Sequence, residues 1–468
     1  MGRAYMSMGE RLGTKILYLE AFGQSIVVLN DSQMARDLLD KRSAIYSSRP
    51  RMNMLMDVVG VDYLFGSLPY GEEWRSSRRL FQQYYTPQNI VREQKKMVNF
   101  VRKGLLSNIF RFPQESLQHI KDCIGGYTIS STYGCSIRKH NDPALERAEE
   151  SFTALVQAAA PGRFLVDIIP ALKYVPEWFP GAKFKRLARK WREICLLVRD
   201  EPFTETKKAV RGGTVSSCFV TESFSRSNGG QDSEVQEFLV KCVAAQVYLG
   251  ASETTFTAIA TFILAMLLYP RVQKLVQQEM DAVVGRERLP EFSDRPHLPY
   301  LSAVFKEVLR WNTPFPLGIP HLTTEEDTYL GYRIPKGSIV MANAFAMLHD
   351  EKVFKSPEEF IPERYLKEGK VDPGVPDPEE FATFGFGRRT CPGGHIAMSN
   401  LFIMASSIVS IFDISPELDA NGCPIEVVPR FRGNAITSSP LPFPCKLTPR
   451  QGVDVERLLK DYMDFEMI

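Results

Sequence analysis

Between Cys242 and Pro270 the chain carries one charge, Glu253. No other stretch restricts the fold as strongly, because so long an apolar run must be hidden from water along most of its length. A membrane span is one solution and needs ~20 apolar residues. The other is a helix through the middle of a large domain, ~43 Å long at 1.5 Å per residue. Gln246, Ser252, Glu253, Thr254, Thr255, Thr257 and Thr261 cluster in the first two-thirds of the run. A carboxylate among hydroxyls is costly in mid-bilayer unless it serves a function. The pattern therefore predicts a core helix in a soluble domain.

A helix of that length needs a large body around it. At ~150 residues per domain the 468 residues would suggest about three domains. Yet no Gly/Ser-rich or Pro-rich linker longer than a few residues divides the chain, and no repeat is visible. The stretches 211–233 and 367–380 are polar and turn-rich, but periodic segments flank both. One domain over 1–468 is expected. Helical periodicity marks 32–41, 72–83, 88–110, 144–160, 183–200, 233–269, 271–284, 299–311 and 394–412. Alternation at 16–22 and 25–30 predicts a hairpin about Gly23 and Gln24, and 328–342 predicts a strand pair with turns at Gly331 and Lys336–Gly337. A further small sheet is expected near 423–447. The class is mainly α with small β-sheets.

Fifty-seven Lys and Arg against 55 Asp and Glu leave a net charge of +2, without the basic excess of a nucleic-acid-binding surface. The eight cysteines, at 123, 135, 195, 218, 242, 391, 423 and 445, form no C-x-x-C pair. That usage fits a reducing compartment. The opening MGRAYMSMGERLGTKILYLEAFG has charges every few residues and no apolar core of signal-peptide length. Neither a secretory signal nor an N-terminal anchor is expected in the chain as given.

Chemistry concentrates at Phe384-Gly-Phe-Gly-Arg-Arg-Thr-Cys391-Pro-Gly-Gly, which precedes an apolar helical pattern. Cys391 stands at an expected N-cap, with Pro392 at the favoured first helical position. A helix N-terminus stabilises a thiolate through its unpaired N–H groups. Gly385, Gly387 and Gly393 strip side chains from the turn, so that backbone can approach a flat ligand. Thiolate-ligated haem requires such a loop. A buried structural cysteine is the bland alternative. A dinucleotide loop is excluded, because Thr390 stands where the third glycine belongs.

The segment resembles the haem-binding loop of the cytochrome P450 family, F-x-x-G-x-R-x-C-x-G, with Phe384, Gly387, Arg389, Cys391 and Gly393 at the fixed positions. The resemblance implies haem b with Cys391 as the axial ligand of its iron. Glu307 and Arg310, at i and i+3 on one helix face, together with Arg364 in Phe360-Ile-Pro-Glu-Arg, are similar to the family's buried ionic trio. They would form a structural lock. Trp74, Arg78, His321 and Arg389 resemble donors to the haem propionates. Gly250-Ala251-Ser252-Glu253-Thr254-Thr255 is similar to the family's oxygen-activating pattern. There Ala251 would allow close approach to the haem, and Glu253 and Thr254 would supply protons for O–O cleavage.

The resemblance runs from the first hairpin to the C-terminal PLPFPCKLTPR. It is nearest to fungal, basidiomycete-type members through VDIIPALKYVPEWFPGAKFKR at 166–186 and HLTTEEDTYLGYRIPKGS at 321–338. It implies a monomeric haem-thiolate monooxygenase that uses O2 and electrons from NADPH-cytochrome P450 reductase, with cytochrome b5 as a further donor. The location implied is the cytosolic face of the endoplasmic reticulum, although the family's leading membrane helix and Pro-rich hinge are missing before Met1. Peroxygenases and peroxide isomerases or dehydratases share the fold but commonly lack the acid–alcohol pair. A non-catalytic haem protein would have no need of it. The apolar stretches 51–69 and 314–320 suit a hydrophobic small molecule. Similarity to fungal natural-product enzymes implies secondary metabolism, with a terpenoid as the favoured substrate.

Overall fold

The apolar run forms a single helix, Ser233–Leu268, of 36 residues. Its first turns are exposed at Val235 and Phe238, whereas from Thr255 to Leu267 every residue is buried, so this part is covered around its circumference and shows no polar face. The computed structural model describes the whole chain apart from Pro87 and residues 139–140, 215–216, 226–232, 433–435 and 464–468. Among the described residues two helices are long and apolar enough to cross a membrane, Glu234–Leu268 and Gly394–Ile411. Their most apolar windows are 72% and 83% buried inside the fold. Both are core helices here.

Most expected helices form near their anticipated bounds, including Glu72–Tyr84, Pro143–Ala158, Pro270–Val283 and Pro299–Trp311. The helix expected to stop at 200 continues to Arg211 through Pro202. Proline removes one backbone donor there. Thr206 ties the following turn, its hydroxyl lying 2.8 Å from both the Pro202 and the Tyr133 carbonyls. The segment 88–110 is split into Ile90–Asn99, a wide turn Phe100–Leu106 and Ser107–Arg111.

One long helix had no signal in the periodicity, Ser116–Tyr133, and it packs along the central helix. It is buried on nearly all faces, so polar and apolar residues do not alternate. Its buried hydroxyls find partners close by: Thr128 donates to the Ile124 carbonyl at 2.7 Å, and Ser131 to the Glu93 carboxylate. Gly126 permits the close approach, since a Cβ there would lie 2.3 Å from Ile137 Cδ1.

The main sheet joins distant segments. Strands β1 (Ile16–Ala21) and β2 (Gln24–Leu29) form the expected hairpin. Strand β3 (His321–Leu322) follows far along the chain, and β4 (Asp327–Tyr329) pairs with β5 (Tyr332–Ile334) about Gly331. The expected 328–342 pair is corrected at its second turn. Strand β6 (Ile339–Ala342) leaves this hairpin to run parallel to β2 and antiparallel to β3, giving the order β1-β2-β6-β3. Near the C-terminus the pair is Phe412–Pro416 with Cys445–Pro449, so that of 423–447 only residues 445–447 enter a strand, and the rest holds isolated bridges among its described residues. Of the linker-like stretches, 211–233 contains the helix Phe219–Ser225, while 215–216 and 226–232 lie outside the described residues. The stretch 367–380 carries part of a two-stranded ribbon.

Candidate functional site

The Cys391 loop closes on itself through backbone bonds. Cys391 N–H donates to the Phe384 carbonyl at 2.8 Å, and Thr390 N–H to that of Gly387 at 3.1 Å. Gly387 has φ +57°, and a Cβ there would stand 2.2 Å from the Leu39 carbonyl oxygen. Only glycine fits. The expected cap is corrected by two residues: the helix is Gly394–Ile411, and Gly393 is its N-cap. Pro392 ends the turn before it and is not a first helical residue. The Cys391 thiol therefore lies just outside the helix, facing its open end. Burial raises its pKa, while the backbone N–H groups of Gly393 and Gly394 and the Arg78 charge pull it down.

Cys391 opens into a cavity of about 380 Å³ that Phe384, Gly387's neighbours Gly385 and Phe386, Gly393, Trp74, Arg78, His321 and Arg389 also line. The thiol is accessible from the cavity although it lies deep in the protein. On the far side the central helix contributes Gly250, Ala251, Thr254 and Thr255. Apolar walls come from Leu64, Phe65, Pro314, Phe315, Leu317 and Ile319. Of the apolar stretch 51–69, Leu64 and Phe65 reach this lining, while Met54 and Met56 are buried in the core.

The charge around this cavity is one-sided. Arg49, Arg78 and Arg389 line it, and no Asp or Glu does among the described residues. Arg389 donates to the carbonyls of Ser47 and Leu68, each at 2.7 Å, with its guanidinium 4.5 Å from the centre of the Trp74 ring. Arg49 donates to the Ile319 carbonyl at 2.7 Å and the Pro320 carbonyl at 2.9 Å. Arg78 donates to that of Thr390 at 2.7 Å. Burial, then the Arg78 charge, pushes Arg389 down to about 10. Burial and Arg389 together push Arg49 well down. Unpaired buried cations are unfavourable, and this cluster calls for an anionic guest. A haem with two carboxylates meets that demand, and Cys391 at the cavity floor meets the need for a ligand. The residues present fit the group.

His321 fits with a condition. Its Nδ1 lies 2.8 Å from the Tyr46 carbonyl and so carries the proton, leaving Nε2 as an acceptor in the neutral ring. Burial, with Arg49 and Arg389 adding, holds it neutral, far below the usual histidine range. It becomes a second donor only as the imidazolium, a form that a nearby anion favours.

Thr254 Oγ1 donates to the Gly250 carbonyl at 2.8 Å, and Ser252 Oγ to that of Tyr248 at 2.9 Å. The helix is continuous through both, so this back-bonding leaves the ladder closed. Glu253 is separated from its neighbour: it lines a smaller pocket on another face, with Lys121, Asp142 and Glu149. Burial raises its pKa, with Lys121 and Arg432 opposing. The acid and the alcohol thus face different spaces across one turn.

Glu307, Arg310 and Arg364 come together away from the cavity. Glu307 takes a bidentate pair from Arg310 at 2.7 and 2.8 Å, Arg364 Nε at 3.1 Å and the Ile361 N–H at 2.8 Å. Arg310 also donates to the carbonyls of Leu348, Pro357 and Glu359. Every charge there is paired, as such depth demands.

Arg49 is the site residue that reading the chain missed. Nothing in Ser47-Ser-Arg49-Pro50 marks it; it reaches the site because a bridge between Ser48 and Leu322 brings the segment beside β3.

Comparison with known proteins agrees with this geometry. The family model described as cytochrome P450 matches residues 3–431. Cytochrome P450 monooxygenase ple1 of Rhodocybe pseudopiperita is 41% identical over 447 residues, 95% of this chain and 85% of that protein. Tryptamine 4-monooxygenase of Psilocybe cyanescens is 37% identical over 448 residues, 95% and 88% of the two chains. A zebrafish cytochrome P450 solved with progesterone superposes with a TM-score of 0.77 over 96% of this chain and 99% of its own, at 24% identity. That last likeness is one of fold.

Proposed function

Because the chain belongs to the cytochrome P450 family, whose members here are monooxygenases carrying cysteine-ligated haem b, we propose that it inserts one oxygen atom from O2 into a neutral hydrophobic molecule of fungal secondary metabolism, a terpenoid above all. The observation that carries this reading is the cavity, with a thiol at its floor, guanidinium groups and, among the described residues, no carboxylate around it, and apolar walls opposite. With Arg49, Arg78 and Arg389 matched to the haem carboxylates, the rest of the lining offers a protonated amine, such as the tryptamine named for one relative, no Asp or Glu among the described residues. A hydrocarbon skeleton meets Leu64, Phe65, Phe315 and Leu317.

When bound, haem supplies dioxygen activation and electron transfer. The chain's own residues do the rest. Cys391 supplies the ligand; Trp74, Arg78, Arg389 and Arg49 hold the carboxylates, and His321 joins them when doubly protonated. Gly387 and Phe384 shape the loop, Gly393 directs its N–H at the sulfur, and Ala251 keeps the opposite face clear. Thr254 keeps its own proton on the Gly250 carbonyl and turns its hydroxyl oxygen to the cavity as a proton acceptor, and Glu253 delivers a proton from the neighbouring pocket. Glu307, Arg310 and Arg364 keep the supporting segments in register. Electrons come from NADPH-cytochrome P450 reductase, with cytochrome b5 as a second donor, at the cytosolic face of the endoplasmic reticulum.

The test reconstitutes the enzyme with reductase and NADPH under 18O2, against matched panels of neutral terpenoids and protonated aryl amines. The reading expects one labelled oxygen in a terpenoid product. Turnover of the amines alone would refute the substrate class.

A further inference from the structure

We infer that Gln246 recognises a hydroxyl or carbonyl oxygen on the substrate, so that the molecule oxidised already bears one oxygen. The inference rests on the monooxygenase reading and narrows its substrate class.

Gln246 lies four residues before Gly250 and eight before Thr254, which places all three on one face of the central helix. All three line the cavity. The Gly66 N–H donates to Gln246 Oε1 at 3.1 Å. An N–H can only donate, so the carbonyl end of the amide is assigned and its NH2 must be the other end. Among the described residues no protein acceptor takes that NH2. Gly66 and Gly250 make room for the amide: a Cβ at position 66 would meet Oε1 at 3.2 Å, and one at 250 would meet Nε2 at 3.3 Å.

Several other neutral donors on these walls are engaged, whereas Thr383 Oγ1 is buried without a partner on the Cys391 side of the cavity. Thr128 donates to Ile124, Ser131 to Glu93 and Thr254 to Gly250. A donor left facing an apolar, carboxylate-free space is unfavourable unless a guest satisfies it. The guest must present an acceptor and be otherwise apolar. Alcohols, ketones and ethers qualify, and saturated hydrocarbons do not.

The test is a thermodynamic cycle on the haem-loaded protein, with menthone and p-menthane as probes. They share a skeleton and differ by the carbonyl. Dissociation constants are read from the absorbance change on binding, in wild type, Gln246→Leu and Gln246→Glu. The measured quantity is the ratio of the two constants, which removes the general preference of an apolar cavity for the hydrocarbon. Gln246→Glu keeps an acceptor for Gly66 and removes the amide donor, so it reports even where the leucine variant folds poorly. We expect the relative affinity for menthone to fall roughly three- to tenfold in either variant, the worth of one neutral hydrogen bond. An unchanged ratio in both overturns the assignment. The reduced carbon monoxide spectrum separates the two layers. A wild-type protein without a thiolate-type band refutes the underlying reading, whereas one with that band and an unchanged ratio refutes the role of Gln246 alone.

Discussion

The Thr254 hydroxyl proton is directed at the Gly250 carbonyl, which leaves its lone pairs toward the cavity, and the proposed function gives it the part of a proton relay there. Thr254→Ala removes the relay and little packing. Haem content should stay at the wild-type level. Product per NADPH should fall by ~10²–10⁴, the usual worth of positioned acid–base help, with the reduced oxygen leaving as hydrogen peroxide. Product and peroxide measured against NADPH consumed decide it, and unchanged product per NADPH would mean protons arrive by another route. A second residue tests the energetics of burial away from the cavity. His349 is buried, stacked on Phe345 with ring centres 4.0 Å apart, and its Nδ1 lies 3.0 Å from the Phe345 carbonyl. Burial, with Arg310 adding, pushes its pKa down to about 4. The unfolded ring titrates near ~6.5, so between those values unfolding takes up a proton. This contribution is complete above the unfolded value and is lost as pH falls toward about 4. His349→Gln should therefore flatten the decline in unfolding free energy over that window. Denaturant titrations at several pH values check it, and parallel curves would contradict it.

Among the elements, the loop before Gly394–Ile411 carries the strictest constraint. Gly387 and Gly13 both have positive φ, yet nothing lies within 4 Å of a Cβ at Gly13, while at Gly387 the Leu39 carbonyl blocks it. Backbone cannot step aside as a side chain can. Gly13→Ala should incur only conformational strain, ~1 kcal/mol. Gly387→Ala should add overpacking of ~1–3 kcal/mol and lower haem content. Paired thermal melts and haem quantitation test this, and equal shifts in the two variants would contradict it. This loop and the central helix were legible because their signals are local: glycine spacing about Cys391, and a long run with one charge. The helix Ser116–Tyr133 was not, because its burial on nearly all sides erases the periodicity that marks a half-exposed helix. Likewise β6 pairs with β2 across some three hundred residues, and no pattern in 328–342 announces that partner. Glu253 stands next to Thr254 in the sequence, but which pocket it faces depends on the neighbouring helices.

Across the whole molecule, a net charge of +2 hides a strong local imbalance. Arg49, Arg78 and Arg389 gather on one cavity that no Asp or Glu lines among the described residues. The fold sustains it by giving each guanidinium backbone carbonyls, and a dianionic cofactor completes it. Two long apolar helices supply the frame, the central one above the cavity and Gly394–Ile411 running from its floor. The account stands on Cys391 as the group that ligates haem iron. Its most direct test is the carbon monoxide difference spectrum of the reduced holoprotein in wild type, Cys391→Ala and Cys423→Ala, since Cys423 is exposed and does not line the cavity. Wild type and Cys423→Ala should show the strongly red-shifted Soret band of a thiolate-ligated haem, and Cys391→Ala should lose it. A wild-type band surviving in Cys391→Ala would contradict the account.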